Sequence, residues 1–211
     1  MSTIDSLSAD ELLADEDWWR IYVDSFPASE RESRNVIVKS ITQGVGIALR
    51  ARREEKTIGL ATTHILMDPP AVFLVYLAVA GRERSRGTGG ELMKRAWELG
   101  TAHLLARGLR PLGCVWEVDP PETQASDAEA RLRRIAFFKR HGGHLLNCRY
   151  MQPPVNGTTA IPMTLMFMPA SEGAPLTSEV VEGLVRAMYF EKYGKINEIA
   201  EEVLHGLLDW R

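Results

Sequence analysis

The segment from Ala71 to Leu99 limits the fold more than any other stretch of this chain. It opens with an apolar run, Ala71 to Ala80, too short to cross a bilayer and suited to a buried strand. A turn rich in glycine and arginine follows, Gly81-Arg-Glu-Arg-Ser-Arg-Gly-Thr-Gly-Gly. A helical pattern then begins, with Leu92, Met93, Ala96, Trp97 and Leu99 on its apolar side. A buried strand that feeds such a turn into a helix N-terminus makes an anion cradle. The first N–H groups of a helix have no intrahelical partner, and the helix dipole favours negative charge there. Glycine lets a ligand approach the backbone, and Arg84 and Arg86 add permanent positive charge. The stretch reads as a pyrophosphate site.

Two common pyrophosphate motifs are absent. The dinucleotide fingerprint needs a glycine at the position of Leu92, and the nucleoside-triphosphate loop needs a Gly-Lys-Ser/Thr. What fits is Arg84-x-x-Gly87-x-Gly89, which resembles the acyl-CoA signature (Q/R)-x-x-G-x-(G/A) of the GNAT acetyltransferases. A second segment, FFKRHGG from Phe137 to Gly143, is similar to another conserved stretch of that family. The resemblance implies an α/β fold of the GNAT type, a mixed and largely antiparallel sheet flanked by helices. It also implies acetyl-CoA as co-substrate. The pantetheine arm would pair with the backbone of Leu77, Ala78 and Val79 in a gap between splayed strands. The pyrophosphate would lie over Arg84, Ser85, Arg86, Gly87, Thr88, Gly89 and Gly90, with Arg131 and Phe138 also at the cofactor. The chain departs from the family at three points. Phe138 stands where a tyrosine often protonates the leaving thiolate, Arg131 where asparagine is frequent, and Gly143 where an aromatic residue is usual.

Length and charge set the remaining bounds. At 211 residues with 45% hydrophobic residues, the chain can bury a sizeable core. A net charge of −3 gives no basic footprint for nucleic acid, so none is expected as a partner, and no apolar run reaches membrane length. Two cysteines and no signal pattern at the acidic N-terminus suit a reduced, cytoplasmic protein.

In chain order, periodicity predicts a helix over 9–26, a second from Ser29 to about Gln43, and a strand hairpin over 45–67 that turns at 52–56. Asp68-Pro69-Pro70 breaks the chain before the central strand, and Gly108 stops the helix after the turn. A strand follows over 111–119, then a polar loop from Pro121 to Ser126 and a basic helix from Asp127 to His141. A strand over 144–152 and its return over 159–168 close the core. Residues 1–169 read as the transferase domain. Residues 170–211 read as an extension, with a linker from Ala170 to Pro175 and two amphipathic helices. These helices are expected to pack on the core and to shape the acceptor pocket or a homodimer interface.

The catalytic candidates come from the strand over 111–119. Its alternation sets Leu112, Cys114, Trp116 and Val118 on one face and Gly113, Val115, Glu117 and Asp119 on the other. Cys114 falls with the apolar set and reads as a small hydrophobe. Glu117, a carboxylate among apolar residues, is costly unless it faces a cleft or is paired. It is the candidate general base, or else the ion-pair partner of an arginine in the 131–140 helix. Tyr150 is the candidate replacement for the missing acid. The resemblance also puts Glu30, Arg31 and Glu32 beside the acceptor. His64 reads as structural, and His141, His144 and Cys148 do not make a metal site, so no metal is expected. The expected reaction is acyl transfer, most simply acetyl, to the amine of a small molecule or peptide by direct attack on the thioester. The alternative is a non-catalytic acyl-CoA sensor.

Overall fold

The computed structural model describes residues 2–121, 126–171 and 176–209. Residues 122–125, in the expected polar loop, and 172–175, in the expected linker, lie outside the described residues. The chain forms an eight-stranded mixed sheet in the order β1-β2-β3-β4-β5-β8-β6, with β7 also paired to β8. The strands are β1 Thr3–Leu7, β2 Gly46–Arg53, β3 Lys56–Met67, β4 Pro70–Val79, β5 Gly113–Val118, β6 His144–Leu145, β7 Tyr150–Gln152 and β8 Ile161–Pro169. The helices are α1 Ala9–Ala14, α2 Glu16–Ser25, α3 Arg34–Thr42, α4 Thr88–Leu105, α5 Ala128–Arg140, α6 Ser178–Ala187 and α7 Glu201–Asp209. Every strand pair is antiparallel except β4 with β5.

β3 is buried from Thr57 to Leu66 because both faces of the sheet are covered. One face packs Leu92, Met93 and Ala96 of α4 and Ile135 and Phe138 of α5 against Leu74, Cys114 and Trp116. The other face is shared. Trp18, Trp19 and Tyr22 of α2 cover β2 to β4, and Leu184, Met188, Tyr189 and Tyr193 cover Phe73, Val115 and Leu165. Cys114, Trp116 and Val118 face α4 and α5, as their alternation predicts. Leu112 does not join them. It precedes β5 and packs on the opposite cluster.

Two features of β4 make the site. The parallel pairing with β5 is confined to Val72–Cys114 and Phe73–Val115, so beyond Leu74 the two strands separate. Just there β4 carries a bulge against β3, with Thr62 opposite Tyr76 and Thr63 opposite Leu74. The extra residue, Val75, puts Val75 and Tyr76 on the same face, so Tyr76 points toward α2 instead of α4.

Several expected boundaries move, each for a local reason. The helix expected over 9–26 is two, because the Asp15 carboxylate accepts from Trp18 N at 2.9 Å and starts α2 afresh. The second helix does not start at Ser29. Ala28–Glu30 is a single 3-10 turn, Arg31 is extended, and Ser33 caps α3. β1, unforeseen in the acidic N-terminus, pairs with the outer edge of β2. The strand expected over 144–152 is interrupted between β6 and β7, and both pieces pair with β8. The β2–β3 hairpin turns tightly on Glu54 and Glu55, both at positive φ, which suits the right-handed twist of its strands. After α6 the chain winds into a π-helical segment, Met188–Gly194, and α7 starts later than Ile196.

Candidate active site

The splay of β4 from β5 opens two adjoining spaces. The larger is a cleft of about 890 Å³, lined by Leu77, Ala78 and Val79 of β4, the turn from Glu83 to Gly90, and one face of α5. Its volume suits a coenzyme-sized ligand. Gly87 stands at φ 86° as the N-cap of α4, a left-handed conformation that disfavours side chains. The first turn of α4, Thr88 to Gly90, lines the cleft, and amides at that position have no intrahelical partner. Arg84 is held by its Nε donating to Val79 O at 3.1 Å. From α5, Arg133, Arg134, Arg140 and His141 reach the same cleft.

Ten of the twelve residues expected at the cofactor lie on this wall: Leu77, Ala78, Val79, Arg84, Ser85, Gly87, Thr88, Gly89, Gly90 and Phe138. Arg86 and Arg131 are not among the lining residues. Arg86 bonds Glu83 at 3.2 Å, and Arg131 Nε bonds Asp127 at 2.8 Å. Arg133 and Arg140 join the wall in addition to the expected residues. The signal was present, since Ala130, Arg133, Arg134, Phe137, Phe138 and His141 repeat at helical spacing along one face. Gly143 has its own reason: a Cβ there would lie 2.5 Å from the Trp116 ring.

The smaller space, about 220 Å³, shares Ser25, Phe26, Leu77, Arg134 and Phe138 with the larger and continues between β4 and β5. Its ionisable lining is chiefly acidic, with Glu30, Glu117, Asp119 and Asp127 against Arg134. Asp119 is salt-bridged to Arg134. Burial pushes the Glu30 carboxyl up to about 7, and the negative charge of Asp119 adds to this.

Glu117 sits in this second space, and no arginine pairs with it among the described residues. Its Oε1 accepts from Tyr150 Oη, its Oε2 accepts from Gln152 Nε2 at 2.8 Å, and Tyr193 Oη lies 2.9 Å from both oxygens. Burial raises its pKa above the ordinary carboxylate range, and the three donors oppose that rise. Tyr150 lines neither space, and its hydroxyl is engaged by Glu117. Its part in any proton transfer therefore runs through that carboxylate. Tyr193 comes from the π-helical segment, far along the chain, a setting in which such segments often serve a site.

The loop that carries Glu30 is fixed from behind. Tyr76 Oη donates to Glu30 O at 2.8 Å and accepts from Glu32 N at 3.0 Å, and Tyr22 Oη donates to Glu32 O at 3.1 Å. The Glu32 carboxylate is paired with Lys192, with both side chains only 2% exposed. Asn197 donates to the same carboxylate oxygen at 2.8 Å. Arg31 and Glu32 are not among the lining residues of either space. His64 lies behind the same cluster, bonded to Ser40 at 3.3 Å, and burial lowers its pKa to about 3. No grouping of metal-ligating side chains occurs among the described residues.

Residues 15–142 match the model of the acetyltransferase (GNAT) family, and the chain belongs to that family. It is a GNAT N-acetyltransferase by family and fold. Solved structures share the fold. One is a Bacteroides thetaiotaomicron protein described as a GNAT-family acetyltransferase, 22% identical, TM-score 0.68, covering 91% of this chain and 98% of that one. Another is Arabidopsis thaliana NAA60 in complex with acetyl-CoA, 15% identical, TM-score 0.60, covering 81% and 99%. A third is YncA of Salmonella typhimurium with acetyl-CoA, 14% identical, TM-score 0.56, covering 84% and 99%. No curated protein sequence matches the chain significantly.

Proposed function

We propose that the protein transfers an acetyl group from acetyl-CoA directly to an amine, with Glu117 as the proton acceptor. The observation that carries this reading is the division of charge between the two spaces. The large cleft has a helix N-terminus and Arg84, Arg133, Arg134 and Arg140, against Glu83 alone. The small one is chiefly acidic. A polyphosphate cofactor suits the first and an ammonium suits the second. Two of the structural relatives are complexes with acetyl-CoA, which is consistent with the same ligand here.

When bound, acetyl-CoA supplies the activated thioester. The chain's own residues bind, orient and deprotonate. The amides of Thr88 to Gly90, with Arg84, Arg133 and Arg140, hold the diphosphate. Beyond Leu74, β4 has no β5 partner, so its backbone groups from Leu77 to Val79, apart from the Val79 carbonyl held by Arg84, would pair with the pantetheine arm and polarise the thioester carbonyl. Phe26 and Phe138, which line both spaces, bring the two reactants together and keep water out. An alkylammonium with a pKa of about 10 must lose a proton before it can attack. Glu117, raised by burial and facing the acceptor space, takes it, while Tyr150, Gln152 and Tyr193 hold the carboxylate in place. Cys114 offers no relay. It lies on the opposite face of β5, is 2% exposed, and burial pushes its thiol up to about 12.

The test is Glu117→Gln, assayed by thiol release from acetyl-CoA over an amine panel. Turnover should fall about 10²–10⁴-fold, with less loss at high pH and CoA affinity nearly unchanged. An unaltered turnover and pH profile would remove Glu117 from this role. Tight CoA binding by the wild type with no turnover on any amine would mean an acyl-CoA sensor instead.

A further inference from the structure

The acceptor space carries more detail than the reaction class. It is smaller than a drug-sized pocket. Its rim is bridged: Asn156, in the β7–β8 connection, donates from Nδ2 to Ala28 O at 2.8 Å. That bond ties the hairpin to the loop ahead of Glu30.

Two groups of hydrogen-bond acceptors line the space. At one, Gln152 is 6% exposed and gives its Nε2 to Glu117, while its Oε1 has no hydrogen-bond partner. A buried carbonyl oxygen left unpaired is costly, and it sits beside a carboxylate that already has three donors. An ammonium placed there satisfies Oε1 and faces Glu117 at once. At the other locus, Glu30 and Asp119 lie close enough for the charge of one to raise the pKa of the other, although Arg134 offsets part of this. A second cation or strong donor relieves that repulsion. Between the loci the walls are apolar, with Phe26, Leu74, Tyr76 and Met163.

We propose that the acceptor is a small aliphatic amine with a second cationic group, held as a short diamine between the Glu117–Gln152 locus and the Glu30–Asp119 locus. The amine at Glu117 and Gln152 is the one acetylated, and the other is the anchor. This rests on the acyl-transfer reading for the chemistry but not for the binding.

The experiment is calorimetry at pH 8, where Glu30 is ionised and the amines remain cationic, on the full chain saturated with CoA, titrated with putrescine, butylamine and a lysine-containing hexapeptide. Putrescine should bind at least about tenfold tighter than butylamine, the equivalent of one charge-assisted hydrogen bond, and the peptide should bind more weakly than either. Glu30→Gln, checked for an unchanged melting profile, should shrink the putrescine-to-butylamine ratio at least about fivefold, since it removes one of the two anchoring carboxylates. Equal binding of putrescine and butylamine, an unchanged ratio in Glu30→Gln, or preferred binding of the peptide overturns the assignment. Putrescine bound with the stated preference but without thiol release from acetyl-CoA sinks the reaction and supports the pocket.

Discussion

Lys192→Met is the most informative perturbation. Lys192 and Glu32 are each 2% exposed and salt-bridged to each other. Burial lowers the Lys192 pKa, and the charge of Glu32 opposes that shift. Removing the cation leaves a carboxylate in the protein interior with Asn197 Nδ2 as its remaining side-chain donor among those described. Loss of one partner of a buried pair costs about 3–5 kcal/mol, and the retained Asn197 bond favours the lower end. In a chain of this length each kcal/mol moves the melting midpoint by about 2–4 °C, so a loss of about 3 kcal/mol gives a drop of about 6–12 °C. The double variant Glu32→Gln/Lys192→Met should recover at least half of that, because no buried charge is then left unpaired. Melting followed by circular dichroism reads both. The same variant loosens the loop that Tyr76 and Tyr22 hold, so the acceptor KM should rise while the acetyl-CoA KM stays put. A single variant within about 0.5 kcal/mol of wild type, or a double variant no more stable than the single, refutes the reasoning.

Three further outcomes are expected. Tyr193→Phe removes the hydroxyl near both oxygens of Glu117, an interaction with a charged group worth about 1.5–3 kcal/mol, so the acidic limb of the kcat/KM profile should move up by about one pH unit or more. An unmoved limb means that Tyr193 does not act through Glu117. His64, with its folded pKa depressed to about 3, is neutral in the fold, so the unfolded state binds the extra proton and stability falls as pH drops below about 6.5. Between pH 6.5 and 5 this costs about 2 kcal/mol, which His64→Gln should abolish in parallel denaturant titrations. Glu30, raised to about 7, is anionic only above that pH, so the KM for a cationic acceptor should fall as pH rises through 7 and flatten in Glu30→Gln.

The turn that lines the large cleft was legible because it is local. An apolar run, a glycine turn and a helix start are neighbours in sequence, and local backbone geometry places nine of the expected residues on one cleft, while the tenth, Phe138, arrives from α5. The face of Glu117 was legible too, since a strand alternates with period two. The bulge at Val75 was not. Nothing in the apolar run Ala71 to Ala80 marks where an extra residue enters, and yet that residue decides which way Tyr76 points and therefore what holds the Glu30 loop.

The sequence by itself determined the fold class, the glycine turn that leads into α4 and the isolated carboxylate on β5. Tertiary structure alone decided that carboxylate's partners. Tyr150, Gln152 and Tyr193 stand 33, 35 and 76 residues from Glu117, and Lys192 stands 160 from Glu32. An amphipathic stripe in residues 178–209 states only that something will cover it. Which polar side chain then meets which depends on how the helices settle on the sheet, and side-chain pairing over such separations leaves no periodic trace along the chain.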